Sequence, residues 1–160
     1  MIRTRFGRHL FALLAALAGL AAAASAGRAC QPEQVRVTVV VILATDQNDK
    51  VCPTLECLAK EVRKKRPELT GFRQGNQTCK SMTVGKEETF ELLEGQCAAV
   101  VVQHGANAHN WVCLKVHAPG VGDIVYRSVC GKFFPIVTGY QTKKNETLIL
   151  AIRVEPCKKP

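Results

Sequence analysis

The run Val35 to Ala44, VRVTVVVILA, constrains the fold of this chain more than any other stretch. It is β-branched and apolar at nearly every position, the composition of a strand buried on both faces. The polar segment TDQNDK then turns the chain, and the period changes. Pro53 suits a first helical position, Leu55, Leu58, Ala59 and Val62 recur at i, i+3, i+4 and i+7, and Pro67 stops the pattern. One amphipathic helix is predicted there.

From Phe72 onward the period is two. Thr89 to Leu93 and Gln96 to His104 flank Glu94-Gly95, a short hairpin connection. In the second of these segments Ala98, Val100 and Val102 share one face and Cys97 and Gln103 the other. Asn110 to Ala118 repeats the pattern, with Val112, Leu114 and Val116 inward and Trp111, Cys113, Lys115 and His117 outward. Asp123 to Cys130 and Thr147 to Glu155 read as two more strands, the last with Leu148, Leu150, Ile152 and Val154 on its buried face. The expected architecture is a single α+β domain over residues 35–157, in which a curled antiparallel meander packs on one helix in the order β-α-β-β-β-β-β.

The chain begins with Arg3, Arg5 and Arg8, an apolar run from Leu10 to Ala24, and the small-x-small sequence Ala24-Ser25-Ala26. These are the parts of an export signal over residues 1–26, followed by a tail over 27–34. The run is shorter than the ~20 residues of a spanning helix, and no later stretch approaches that length, so no transmembrane span is expected. Lipidation on Cys30 is disfavoured, because Gly27-Arg28-Ala29 places an arginine where a small residue is wanted. Cleavage would leave 19 lysines and arginines against 13 acids, a net charge of +6. An exported basic protein meets envelope proteins and anionic polymers before nucleic acid, and no aromatic residues interleave with its basic run. Residues 158–160 form a short C-terminal tail.

All eight cysteines follow the leader, an even number for which disulfides are the default in an oxidising compartment. Their spacing contains no C-x-x-C, which removes the thioredoxin-type dithiol and the paired ligands of common structural zinc sites. Cys52 and Cys57 are five residues apart, too far for one disulfide along a helix. Cys52, just before Pro53, falls at the helix N-terminus, where backbone N–H groups favour a thiolate; it is the candidate reactive thiol.

The Val-rich strand, Asx-rich turn, x-Pro helix start, LAKEVRKK at Leu58 to Lys65, ELTGFR at Glu68 to Arg73 and LILAI at Leu148 to Ile152 together resemble short exported bacterial proteins of unassigned function. The resemblance spans most of the chain after the leader and implies no activity. In that group an acidic residue is expected before the helix proline, where this chain has Cys52.

Few residues suggest chemistry. His104 and His109 bracket the loop GANAHN and, with Asp123 brought near, would make a metal or general-base site, yet no ligand spacing supports it and turn-forming residues account for the loop. Asp46 and Asp49 lack the glycine and repeated oxygen ligands of a calcium loop and suit Asx turns. Neither G-x-S-x-G nor a phosphate-binding glycine loop occurs. The sequons at Asn76 and Asn145 are discounted because the Ala/Arg-rich leader is bacterial in character. No catalytic residue, cofactor or metal ligand is assigned.

Two surfaces stand out. In Cys130 to Tyr140, CGKFFPIVTGY, the residues Phe133, Phe134, Ile136 and Tyr140 crowd a stretch whose Pro135 disfavours a central strand. They form either a partner surface on an apolar loop or edge, or a plug at the end of the core. On the helix, Lys60, Arg63 and Lys64 cluster opposite the apolar stripe as a solvated face or an anion-binding one. The functional expectation is a non-enzymatic exported binding domain; the alternative is a thiol-dependent redox or metal-binding protein.

Overall fold

A computed structural model describes residues 33–156. The expected export signal, Cys30, Cys157 and the C-terminal tail lie outside these residues. Strand β1 (Gln34–Thr45) leads through a turn to a three-residue 3-10 turn (Pro53–Leu55) and helix α1 (Glu56–Arg63). Seven further strands follow: β2 (Gly71–Thr83), β3 (Glu87–Glu91), β4 (Cys97–His104), β5 (Trp111–Ala118), β6 (Gly122–Val129), β7 (Phe134–Gln141) and β8 (Thr147–Pro156).

The strands divide into two antiparallel four-stranded sheets, in the orders β2-β1-β8-β7 and β3-β4-β5-β6. β1 explains why. Its odd residues Val35, Val37, Val39, Val41 and Leu43 join the core between the two sheets, whereas Val40, Ile42 and Ala44 face the helix. β8 is split in the same way, with Leu148, Leu150, Ile152 and Val154 towards the second sheet and Ile149 and Ala151 towards the helix. An antiparallel strand that needs cover on both faces sits at the centre of three layers, and these two central strands are each other's neighbours.

Two strands were not foreseen, and the single meander becomes two sheets. β2 runs for 13 residues, but most of its side chains are polar and exposed, since it is an edge of its sheet and no described element covers much of its length. β7 contains Pro135, which is accommodated because β7 is the opposite edge. The Glu94-Gly95 connection is as expected: both residues have positive φ, and Gln96 N–H closes the turn on Leu93 C=O at 3.0 Å.

The helical layer is anchored at Phe72. Its N–H donates to Lys50 C=O at 2.8 Å and its C=O accepts from Cys52 N–H at 2.9 Å, which ties the start of the 3-10 turn to β2. The ring, 2% exposed, packs with Leu55, Ala59, Val62 and Leu69. Gly71 makes the approach possible, because a Cβ there would meet Asn48 Oδ1 at 2.5 Å and the Asn48 carbonyl oxygen at 2.9 Å.

Candidate functional site: the open face of the second sheet

Helix α1 packs on the first sheet, and among the described residues no helix or strand is packed on the outer face of the second. β5 alternates so that Val112, Leu114 and Val116 are buried while Trp111, Cys113, Lys115 and His117 point away from the core. The register places Trp111 opposite Val129, Cys113 opposite Arg127, Lys115 opposite Val125 and His117 opposite Asp123 on β6. On the other side of β5, Lys115 opposes Val101 and His117 opposes Ala99. The face therefore sets Trp111, Val125 and Val129 beside Lys115, Arg127 and the Asp123 carboxylate. Trp111 is 47% exposed and Val125 63% exposed, far more than side chains of that type usually are.

One polar cluster lies on this face. Asp123 accepts from Lys115 Nζ through Oδ2 at 2.7 Å and contacts His117 Nδ1 through Oδ1 at 2.7 Å. The Lys115 ammonium, then the His117 ring, hold the Asp123 carboxyl below the usual carboxylate range, and Asp123 in turn raises Lys115. A His–Asp pair orients a general base in many hydrolases, but His117 and Asp123 are both more than half exposed. Their strand neighbours Ala99 and Val125 supply no nucleophile. The cluster ties one carboxylate to two basic side chains on the face.

The residues singled out by sequence fall in other places. Cys52 precedes the three-residue 3-10 turn, not α1, whose first residue is Glu56; its Sγ lies 3.2 Å from Thr54 Oγ1. The thiol therefore faces one short turn and not an aligned stack of helical N–H groups. At Cys130, burial pushes the thiol up, away from reactivity, while Sγ lies 3.2 Å from Val154 C=O. No two of the six described cysteines are bonded to each other.

The aromatic segment is corrected more sharply. Phe134 and Ile136 are 4% and 6% exposed and belong to the core between the sheets, so they offer no partner surface. Phe133 packs against the helix-side core beneath the Arg153 guanidinium, 4.6 Å above its ring. Tyr140 Oη donates to Glu94 Oε2 at 2.8 Å, and Lys143 N–H also reaches Glu94, so this tyrosine closes the β3–β4 turn onto the β7–β8 turn. Phe134 and Ile136 are buried because the segment is an edge strand with one face on the core between the sheets.

The basic helix face is also mostly engaged. Arg63 donates to the Leu69 and Thr70 carbonyls and lies over Phe72, and Lys64 pairs with Glu61 at 2.6 Å. Of Lys60, Arg63 and Lys64, Arg63 is thus a structural clasp rather than part of an anion-binding face. His104, at the end of β4, opposes Cys113, and Asp123 is engaged by Lys115 and His117. Among the described residues no three His, Cys, Asp or Glu side chains are grouped to hold a metal ion. No helix among them is long and apolar enough to cross a membrane.

Sequence reasoning placed Trp111 and Lys115 on the outward side but missed them as a surface, and it missed Val125 and Arg127 altogether. The available signal was the chain's single tryptophan sitting in the polar phase of an alternating strand. Comparison with protein-family models, curated proteins and solved structures finds no match to this chain.

Proposed function

We propose that this chain is a non-enzymatic binding domain, exported to the bacterial envelope or the extracellular space, that engages a protein partner through the outer face of β3-β4-β5-β6. The observation that carries this reading is the joint exposure of Trp111 and Val125 on a sheet face that no other described element covers. A large exposed aromatic side chain on paired strands, beside Lys115 and Arg127, is the composition of a protein-binding centre. An anionic polymer is the weaker fit, since Arg63 and Lys64 of the helix face are held by carbonyls and a carboxylate of their own chain.

The test uses the sole tryptophan as its own reporter. The protein, purified after export and immobilised, should retain a defined envelope protein, and titration with that protein should shift the Trp111 emission to the blue. Trp111→Ala should abolish retention and Lys60→Glu should leave it unchanged. Retention that survives Trp111→Ala, or that Lys60→Glu removes, refutes the assignment of the face. A second reading, a thiol-dependent exported protein, draws on the six described cysteines with no bond among them and the exposure of Cys57, Cys79 and Cys97. Thiol titration of protein recovered from an oxidising compartment separates the two: four or more reactive thiols support the second, and none or few the first.

A further inference from the structure

The four sheet edges are unequal. β7 carries Pro135 and a register break between Val137 and Gln141; β2 is bulged opposite Val40 and Ile42; β3 is only five residues long. Each of these features blocks or shortens pairing with a further strand. β6 has none of them. It pairs with β5 without a register break over all eight residues, contains no proline or lysine, and exposes Val125 and Tyr126.

The phase of its free hydrogen-bonding groups follows from one bond. Cys130 N–H donates to Asn110 C=O at 2.8 Å, and in an antiparallel ladder alternate residues bond to the same neighbour. The even residues of β6 therefore point their backbone groups at β5. Those of Asp123, Val125 and Arg127 point outward from the sheet edge, unclaimed by the ladder.

From this geometry we infer that β6 is a self-association edge, at which two copies of the chain pair antiparallel about a two-fold axis through Val125. In that register each Asp123 opposes Arg127 of the other copy, Val125 meets its own equivalent, and Ile124 opposes Tyr126 on the inner side. A two-fold through Asp123 or through Arg127 would instead set like charges against each other, which cross-strand pairs penalise. Asp123 keeps room for the second cation because Lys115 and His117 each take one lone pair on a different oxygen. The pairing joins two second sheets into one of eight strands. It does not rest on the binding function proposed for the outer face, because it follows from the free backbone groups of the edge, although Val125 and Arg127 belong to both.

Sedimentation equilibrium on the purified protein, under reducing conditions that remove intermolecular disulfides, tests this. A dimer is expected at micromolar concentration. Val125→Pro removes an N–H that β5 does not use, so the variant should fold, with the same far-UV circular dichroism, and sediment as a monomer. Arg127→Glu places two acidic pairs across the two-fold and should weaken the dimer at least about tenfold, and adding Asp123→Lys should restore it. The restoration remains a test should Val125→Pro fail to fold. A monomer at every concentration, a dimer that a folded Val125→Pro leaves intact, or an Arg127→Glu defect that Asp123→Lys does not reverse overturns the inference.

Discussion

Phe72 joins the helical layer to the first sheet, and replacing it measures how firmly that layer is held. The ring is almost wholly removed from water and contacts residues of the 3-10 turn, the helix and the segment after it. Burying roughly 200 Å² of apolar surface at about 25 cal/mol per Å² is worth about 5 kcal/mol, of which alanine retains about a third. The remaining ~3 kcal/mol is increased by the cavity and by loss of the Arg63 guanidinium contact at 5.3 Å, which gives a cost of about 3–5 kcal/mol for Phe72→Ala. Phe72→Leu fills most of the volume and should cost less than about 1.5 kcal/mol. Urea unfolding followed by circular dichroism and by Trp111 fluorescence reads both variants, with the midpoint shifting and the slope unchanged. A loss below about 1.5 kcal/mol for Phe72→Ala would refute the claim that this ring fixes the helix to the sheet.

Arg63→Lys should cost about 1–2 kcal/mol in the same assay, because a lysine cannot reach both the Leu69 and Thr70 carbonyls as a guanidinium does; a neutral result would mean that the clasp adds nothing. Arg73 forks onto Glu146 at 2.6 and 2.5 Å and holds its carboxyl below the usual range. A carboxylate depressed in the folded state stabilises above its unfolded pKa of about 4.3, and that stability disappears as pH falls through the lower folded value. Unfolding titrations from neutral to acid pH should therefore show a decline that Glu146→Gln flattens, and an identical decline in that variant would exclude this pair as the cause. Peptide mapping of the oxidised protein should find no Cys52–Cys57 bond. A 3-10 turn rising ~2 Å per residue and two α-helical steps of ~1.5 Å set their Cα atoms about 9 Å apart, beyond the reach of a disulfide.

How much of the fold was legible depended on whether a segment's pattern was set by one neighbour or several. β4 and β5 each have one face on the core, so Ala98, Val100, Val102, Val112, Leu114 and Val116 announced themselves by simple alternation. β2 did not, because its role comes from backbone pairing with β1, which its polar, exposed side chains do not record. In β7 the proline spoke only against a central strand, and the edge it left open is a position that exists only once β8 has taken the other side. Arg63 was read as part of a charged face for the same reason: the carbonyls that bind it belong to Leu69 and Thr70, which return to the helix only in three dimensions.

By itself the sequence determined that the run ending at Ala44 is buried on both faces over Val37 to Ala44, that one helix follows, and that later strands alternate, because these are local consequences of hydrophobic periodicity. It also determined the absence of the familiar nucleophile, phosphate and zinc spacings. Only the tertiary structure decided that the strands form two sheets, that Phe134 and Ile136 are core, and that Trp111, Val125 and Arg127 share an open surface. Those outcomes depend on which strand pairs with which and which layer covers which face, and such long-range choices leave no period in the chain.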